Sequence, residues 1–321
     1  MSRFRWFAVL ACFLSVAAPA QPYPARPVRV LIPFTAGSAA DIIARAMEPA
    51  MRERLGQPFV VDNRGGAGGN IAAEMTARSA PDGHTIMMAT IGTHAINHSL
   101  YSKLGFHPIR DFTPVGLVAE SPNALVINPK VQAASIQELI ALAKSKPGGL
   151  NYGSSGSGTT VHLSAELFSV LTGIKMTHVP HKGAAEALTS LLGGQTDLMF
   201  ASLSSSIPLI KAGRLKAFAV TGAKRSPSIP ELPTVAEAAD LPGYEASAWF
   251  GIVGPAGVPG AAVASLSKAA LSSLEDAEVR KRLFNAGVEI RTSSPQDFAR
   301  YIASEMRKWE KVVKASGAKV D

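Results

Sequence analysis

Apolar residues recur along the chain in two alternating rhythms. Short unbroken runs bounded by Gly, Pro or Asp predict buried strands; longer stretches with an apolar residue every three or four positions predict amphipathic helices. Val28–Ile32 reads as a strand, and Ile42, Ile43, Ala46, Met47, Ala50 and Leu55 then mark one face of a helix. Residues 59–61 predict a second strand, 71–78 a second helix and 85–90 a third strand, entered through the Pro81-Asp82-Gly83 turn. The pattern resets at residues 124–127. Beyond it come a helix opened by Ser135 and Glu138 as a capping box, a strand at 150–152 and a helix over 160–171 ending at Gly173. A strand at 177–179 leads to a helix over 184–192 stopped by Gly193-Gly194. Residues 197–201 and 215–220 read as strands, 226–242 as a loop rich in Pro and Ser, and 244–253 as extended. The end is helical: Ser294-Pro295 caps and opens a helix whose Phe298, Ile302, Met306, Trp309 and Val313 share a core-facing side.

Strands alternating with helices define an α/β protein. About 300 residues exceed what one core usually serves. The two resets, near 124–128 and 244–253, predict a chain that crosses twice between two lobes. Residues 21–124 and 252–321 would form one lobe and 125–251 the other.

The first twenty residues follow a different logic. Arg3 and Arg5 precede an apolar run from Trp6 to Ala18, and Ala18-Pro19-Ala20 closes it. These are the three parts of a secretory signal peptide, cleaved after Ala20, and the run is too short to span a bilayer. The rival reading is a lipoprotein signal centred on Cys12. Cleavage after Ala20 removes that cysteine, the chain's only one, leaving no thiol for disulfide, metal or nucleophilic chemistry. The formal charge of +8, or +6 once Arg3 and Arg5 are gone, is spread along the chain. It forms no clustered basic stripe of the kind nucleic acid requires. A mild positive field favours anionic solutes.

Two strand-to-helix junctions carry the candidate chemistry. In Pro33-Phe34-Thr35-Ala36-Gly37-Ser38-Ala39-Ala40-Asp41 the free amides of a helix start face the end of the sheet and attract an anion. Ser38 and Asp41 also read as a cap and its acidic partner, and the two roles are compatible. The second junction, residues 152–163, is a loop of Gly, Ser and Thr. Thr159 stands where a phosphate-binding loop needs Lys, Val161 fills the third Gly of a dinucleotide fingerprint, and Ser157 the last Gly of a nucleophile elbow. What survives is an anion cradle without catalytic parts. Thr93 and His94 follow the third strand, within reach of a ligand or in an ordinary capping role. His94 and His98 lack the Glu of a zinc protease, and His178 and His181 have no acidic neighbour, so no metal is expected. Arg64-Gly65-Gly66-Ala67-Gly68-Gly69-Asn70 reads as a tight loop before a helix.

Taken together these segments resemble the solute receptors of tripartite tricarboxylate transporters, the Bug receptors. The likeness covers the chain after the leader. It rests on Tyr23-Pro24, residues 33–41, Asp62-Asn63-Arg64 with its glycine loop, Ala80-Pro81-Asp82-Gly83, residues 111–115 and residues 151–156. Lys182-Gly183, Gly193-Gly194-Gln195, Arg225-Ser226-Pro227, residues 232–235 and Pro242-Gly243-Tyr244 continue it. The resemblance implies a type II periplasmic-binding-protein fold, two lobes closing on ligand like a Venus flytrap. It also implies capture of a small carboxylate for two integral-membrane transporter subunits, in the periplasm, by a monomer without cofactor. By position the grip comes from Phe34, Thr35, Ala36, Gly37 and Ser38 in one lobe. Ser154, Ser155, Ser157, Gly158 and Thr159 supply it in the other, and His162 and Gly183 stand nearby. Ser38 and Ala36 replace a usual Gly and Pro, His181 a usual Tyr, and Glu186 a frequent Pro, which bears on the ligand's identity. Two further classes stay open: a receptor that feeds a signalling system, and a hydrolase using Ser155 or Ser157 with His162.

Overall fold

The computed structural model describes residues 23–320 apart from residue 182; the expected leader, its cleavage site after Ala20 and Lys182 lie outside the described residues. The apolar runs predicted as strands are strands, and each hands over to a helix. The first segment comprises β1 (Val28–Ile32), α1 (Ala39–Leu55), β2 (Phe59–Asn63), α2 (Asn70–Ala77), β3 (Thr85–Thr90), α3 (Asn97–Leu100) and β4 (Phe112–Ser121). The second comprises β5 (Asn123–Ile127), α4 (Ile136–Ser145), β6 (Asn151–Ser154), α5 (Thr160–Thr172), β7 (Thr177–Pro180) and α6 (Ala184–Gly193). It continues through β8 (Leu198–Ser202), α7 (Leu203–Lys211), β9 (Lys216–Val220) and α8 (Val235–Ala239). The chain then returns through β10 (Ala248–Pro255), α9 (Gly260–Glu275), α10 (Ala277–Asn285), β11 (Glu289–Ile290) and α11 (Pro295–Ser316).

These strands form two sheets, ordered β11-β4-β10-β3-β1-β2 and β7-β6-β8-β5-β9. In the first, β1 runs parallel to β2 and β3, with β10 antiparallel between β3 and β4. In the second, β6 runs parallel to β7 and β8 while β5 is antiparallel to β8 and β9. The fold is α/β with two lobes, and the chain changes sheet at Pro122 and again before Ala248. Residues 248–251, grouped with the second lobe on sequence, pair with β3 and β4 of the first sheet.

Several elements escape the sequence pattern, among them the short α3 and β11. In β4, Pro114 and Gly116 mask a ten-residue strand; Pro114 faces Val253 where the β10 register shifts, a position that tolerates a residue without an amide proton. The Ser-rich α7 contains Pro208, and α8 hides within the Pro/Ser loop behind a complete capping box of Thr234 and Glu237. At Ser135 the box is only half formed on its own residue: Ser135 Oγ accepts from Glu138 N, but Glu138 Oε2 takes the amide of Ala134.

The closing helix α11 ties the lobes together. Phe298, Ile302, Trp309 and Val313 are buried along its face as the spacing predicts. Burying side chains of this size stabilises by about 1.5–3 kcal/mol each. One continuous apolar cluster runs from Leu31 and Met87 through Trp249 and Trp309 to Phe168 and Phe200 in the second lobe. Glu305 sits within it, accepting from the indoles of Trp249 (3.1 Å) and Trp309 (3.0 Å) and paired with Lys308. No helix among the described residues is long and apolar enough to cross a membrane.

Candidate functional site

The carboxyl ends of the parallel strands in each sheet carry the strand-to-helix loops, the place where open α/β sheets bind ligands. In the first lobe β1 passes into α1 through residues 33–38. Ser38 has an extended backbone and its hydroxyl accepts from Asp41 N at 3.4 Å, capping the helix. Asp41, 3% exposed, bonds back to Gly37 N (2.9 Å) and pairs with Arg45 Nε (2.9 Å). Burial would raise its carboxyl, but the Gly37 amide, Asn63 and Arg45 outweigh that and hold it below the usual carboxylate range. The Ser38 amide bonds to Thr35 O. With those two amides spent, the first amides of α1, at Ala39 and Ala40, have no partner among the described residues, as a helix start requires.

The second lobe repeats the device. Thr159 caps α5, its hydroxyl accepting from His162 N (3.3 Å) and donating to Gly156 O (2.8 Å). Gly158 N donates to His162 Nδ1 at 3.0 Å, and Ser154 Oγ lies 2.7 Å from His178 Nε2. The helix-start amides of Thr160 and Val161 are without partner among the described residues. Gly156 and Gly158 have φ of 128° and 77°, a region open to glycine, so the turn cannot be made with most side chains.

Both helix starts meet one cavity of about 310 Å³ between the lobes. Ala39 and Ala40 line it from one side, Thr160 and Val161 from the other. Phe34, Ile91, Ile96, Leu100 and Phe250 give it apolar walls, and Asn97, Ser121, Asn123 and Ser202 add polar groups. No Asp, Glu, Lys, Arg or His side chain is among the described lining residues. Among the described lining residues, the groups that attract an anion electrostatically are therefore backbone: two helix starts with their dipoles and unpaired amides.

Of the expected ligand residues, Phe34, Ser155, Ser157, Gly158 and Thr159 line the cavity. Thr35, Ala36 and Gly37 are exposed on the first loop with Ser38 behind them, and Gly183 immediately precedes the lining residue Ala184. Thr93 and His94 turn the other way: both are fully buried, with Thr93 Oγ1 2.9 Å from His94 Nδ1 and the imidazole edge-on to Phe112. Burial pushes His94 down to about 3, so it is neutral. The same turn presents Thr90, Ile91 and Gly92 to the cavity instead. Ser154 and His162 lie under the second loop, not in the cavity wall. The glycine loop after β2 contributes more than a turn, since Gly68 lines the cavity and its carbonyl accepts from Asn97 Nδ2 at 3.1 Å. Sequence reasoning missed Asn97, Asn123 and Ser202, polar residues whose only signal is that they stand at the edges of apolar runs.

Two lobes, each aiming a helix start into one cleft, define a solute-binding receptor of the periplasmic type. A family model described as tripartite tricarboxylate transporter family receptor matches residues 43–318, and the chain belongs to that family. The protein BugT of Bordetella pertussis is 33% identical over the full length of both chains. Among solved structures, R. palustris Rpa4515 with adipate is 41% identical, covers 93% of this chain and all of its own, and superposes with a TM-score of 0.79. MatC of Rhodopseudomonas palustris with bound malate is 35% identical over 91% of this chain and all of its own, with a TM-score of 0.76. The family consists of solute-binding receptors that act outside the cytoplasm.

Proposed function

We propose that this protein captures a small carboxylate, of the size of adipate or malate, in the inter-lobe cavity and delivers it to two integral-membrane subunits of a tripartite transporter. The observation that carries the reading is the convergence of two helix starts on one cavity that has no charged side chain among its described lining residues. A carboxylate bound there gains hydrogen bonds worth about 1.5–3 kcal/mol each. Lobe one, residues 23–121 and 248–320, and lobe two, residues 123–247, close about the two crossovers. The protein acts as a periplasmic monomer, freed from its leader by cleavage after Ala20. The cleft residues perform no chemistry of their own. His162 spends Nδ1 on Gly158 beneath the loop, so it is not a base for Ser155 or Ser157, and neither Ser154 nor its partner His178 is among the described residues lining the cavity.

Calorimetry with adipate, malate and the neutral diamide of adipic acid tests this. Binding of a dicarboxylate with no binding of the diamide is expected; equal binding of both would contradict an anion site. An intact mass carrying a diacylglycerol on Cys12 would contradict the soluble product.

A further inference from the structure

Beneath the second-lobe loop lies a group of side chains that binding does not use directly. His162 of α5 and His178 of β7 stack face to face, ring centres 3.9 Å apart and 12° from parallel. Tyr152 of β6 lies beside the pair, its ring centre 4.9 Å from His178 and 6.2 Å from His162, and its hydroxyl donates to the Glu166 carboxylate of α5. The two imidazoles reach the two ends of one turn. His178 Nε2 contacts Ser154 Oγ, which in turn bonds both the amide and the carbonyl of Gly156 at 3.2 Å. His162 Nδ1 accepts the amide of Gly158 at 3.0 Å.

An acceptor at Nδ1 places the His162 proton on Nε2, 3.7 Å from Glu166 Oε1. A second proton on the ring would set an N–H against the Gly158 N–H and destroy that bond. It would also put a cation against a stacked neighbour. The surroundings oppose it: burial, then the His178 charge, push His162 down to about 3. Burial, then His181, push His178 down to about 4. The groups facing the pair are Tyr152, Glu166 and His181, and burial keeps the Glu166 carboxyl high.

We propose that His162 and His178 are positioning residues of the anion site: an imidazole pair that fixes Gly156 and Gly158 from behind, so that the helix-start amides of Thr160 and Val161 are presented to the cavity. This rests on the receptor reading, and its test separates the two. His162→Phe keeps a ring and removes the acceptor; His162→Asn restores an acceptor near the position of Nδ1. The amide resonances of residues 155–161 are expected to move in His162→Phe and to return toward wild type in His162→Asn. Adipate affinity is expected to fall at least tenfold in the first and to recover most of that loss in the second. Wild-type resonances and affinity in a folded His162→Phe protein would overturn the proposal, as would a His162→Asn protein no better than His162→Phe. If His162→Phe does not fold, nitrogen-15 spectra of wild-type histidines decide: an unprotonated Nδ1 coupled to the Gly158 amide supports the pair, and a protonated Nδ1 at neutral pH overturns it. Wild-type protein that binds neither adipate nor malate counts against the carboxylate reading, while the loop resonances still decide the positioning role.

Discussion

Leu100 of the first lobe meets the bare Cα of Gly158 in the second: a Cβ built on Gly158 would lie 2.2 Å from Leu100 Cδ2. The contact crosses the cleft at the mouth of the anion cavity, so a side chain at position 158 would force Leu100 to shift where the lobes meet. Gly158→Ala should therefore weaken adipate binding by roughly 10- to 100-fold, about 1.4 kcal/mol per decade. Part of the loss is backbone strain at φ 77°. Leu100→Ala in the same protein should return the steric part. Small-angle scattering should show the single mutant failing to compact with adipate; full compaction would contradict the contact's role in closure.

Thr159 was the obvious donor to a carboxylate, and the structure assigns its hydroxyl elsewhere. Its proton goes to Gly156 O and its lone pair to His162 N. Thr159→Ala should cost about 0.5–2 kcal/mol of stability through loss of the cap, and Thr159→Ser should cost little. Urea unfolding checks both. A Thr159→Ala protein of wild-type stability would show that the cap contributes nothing.

Arg291 holds both crossovers at once. Its Nη1 lies 2.7 Å from Glu120 Oε2, next to the first crossing, and 2.8 Å from Glu245 Oε1, just before the second. The guanidinium also rests 4.9 Å from the ring centre of Tyr301. Arg291→Gln leaves two carboxylates facing each other and should lower stability by about 1–3 kcal/mol. Unchanged urea unfolding would mean that solvent screens the pair fully.

Acid should destabilise the fold before carboxylates protonate. His94 and His162 are held down to about 3 and His178 to about 4, burial being the first cause in each. In the unfolded chain histidine titrates near 6.5. Between those values the unfolded state binds more protons, so stability is full above about 6.5 and falls as the pH drops toward 4. Each histidine contributes at most about 1.4 kcal/mol per pH unit. Glu166 and Glu289, raised by burial, act in the opposite sense at the acid end. Melting temperature should decline steadily from pH 7 to 4.5, less steeply in His162→Asn. A flat profile would contradict neutral burial of the imidazoles.

Much of this was legible from the chain. Strands β1 and β3 and both cradle loops follow from apolar runs ending in small residues, because a strand that hands over to a capped helix leaves a local signature. The wall of the cavity does not. Asn97 and Asn123 come from opposite sides of a crossover, and only tertiary packing brings them to one space. His94 follows a strand as a ligand residue would, but the turn after β3 directs its ring into the core. His162 lay on the correct helix, and no pattern of residues tells that Nδ1 faces the loop instead of the ligand.

The central claim is that the ligand's charge rests on backbone amides at two helix starts. The most direct measurement is a nitrogen–proton correlation titration of the assigned protein with adipate. The amides of Ala39, Ala40, Thr160 and Val161 should shift together, saturating at one equivalent and ahead of those of α9 and α10. Saturable binding that leaves these four amides unmoved would contradict the account.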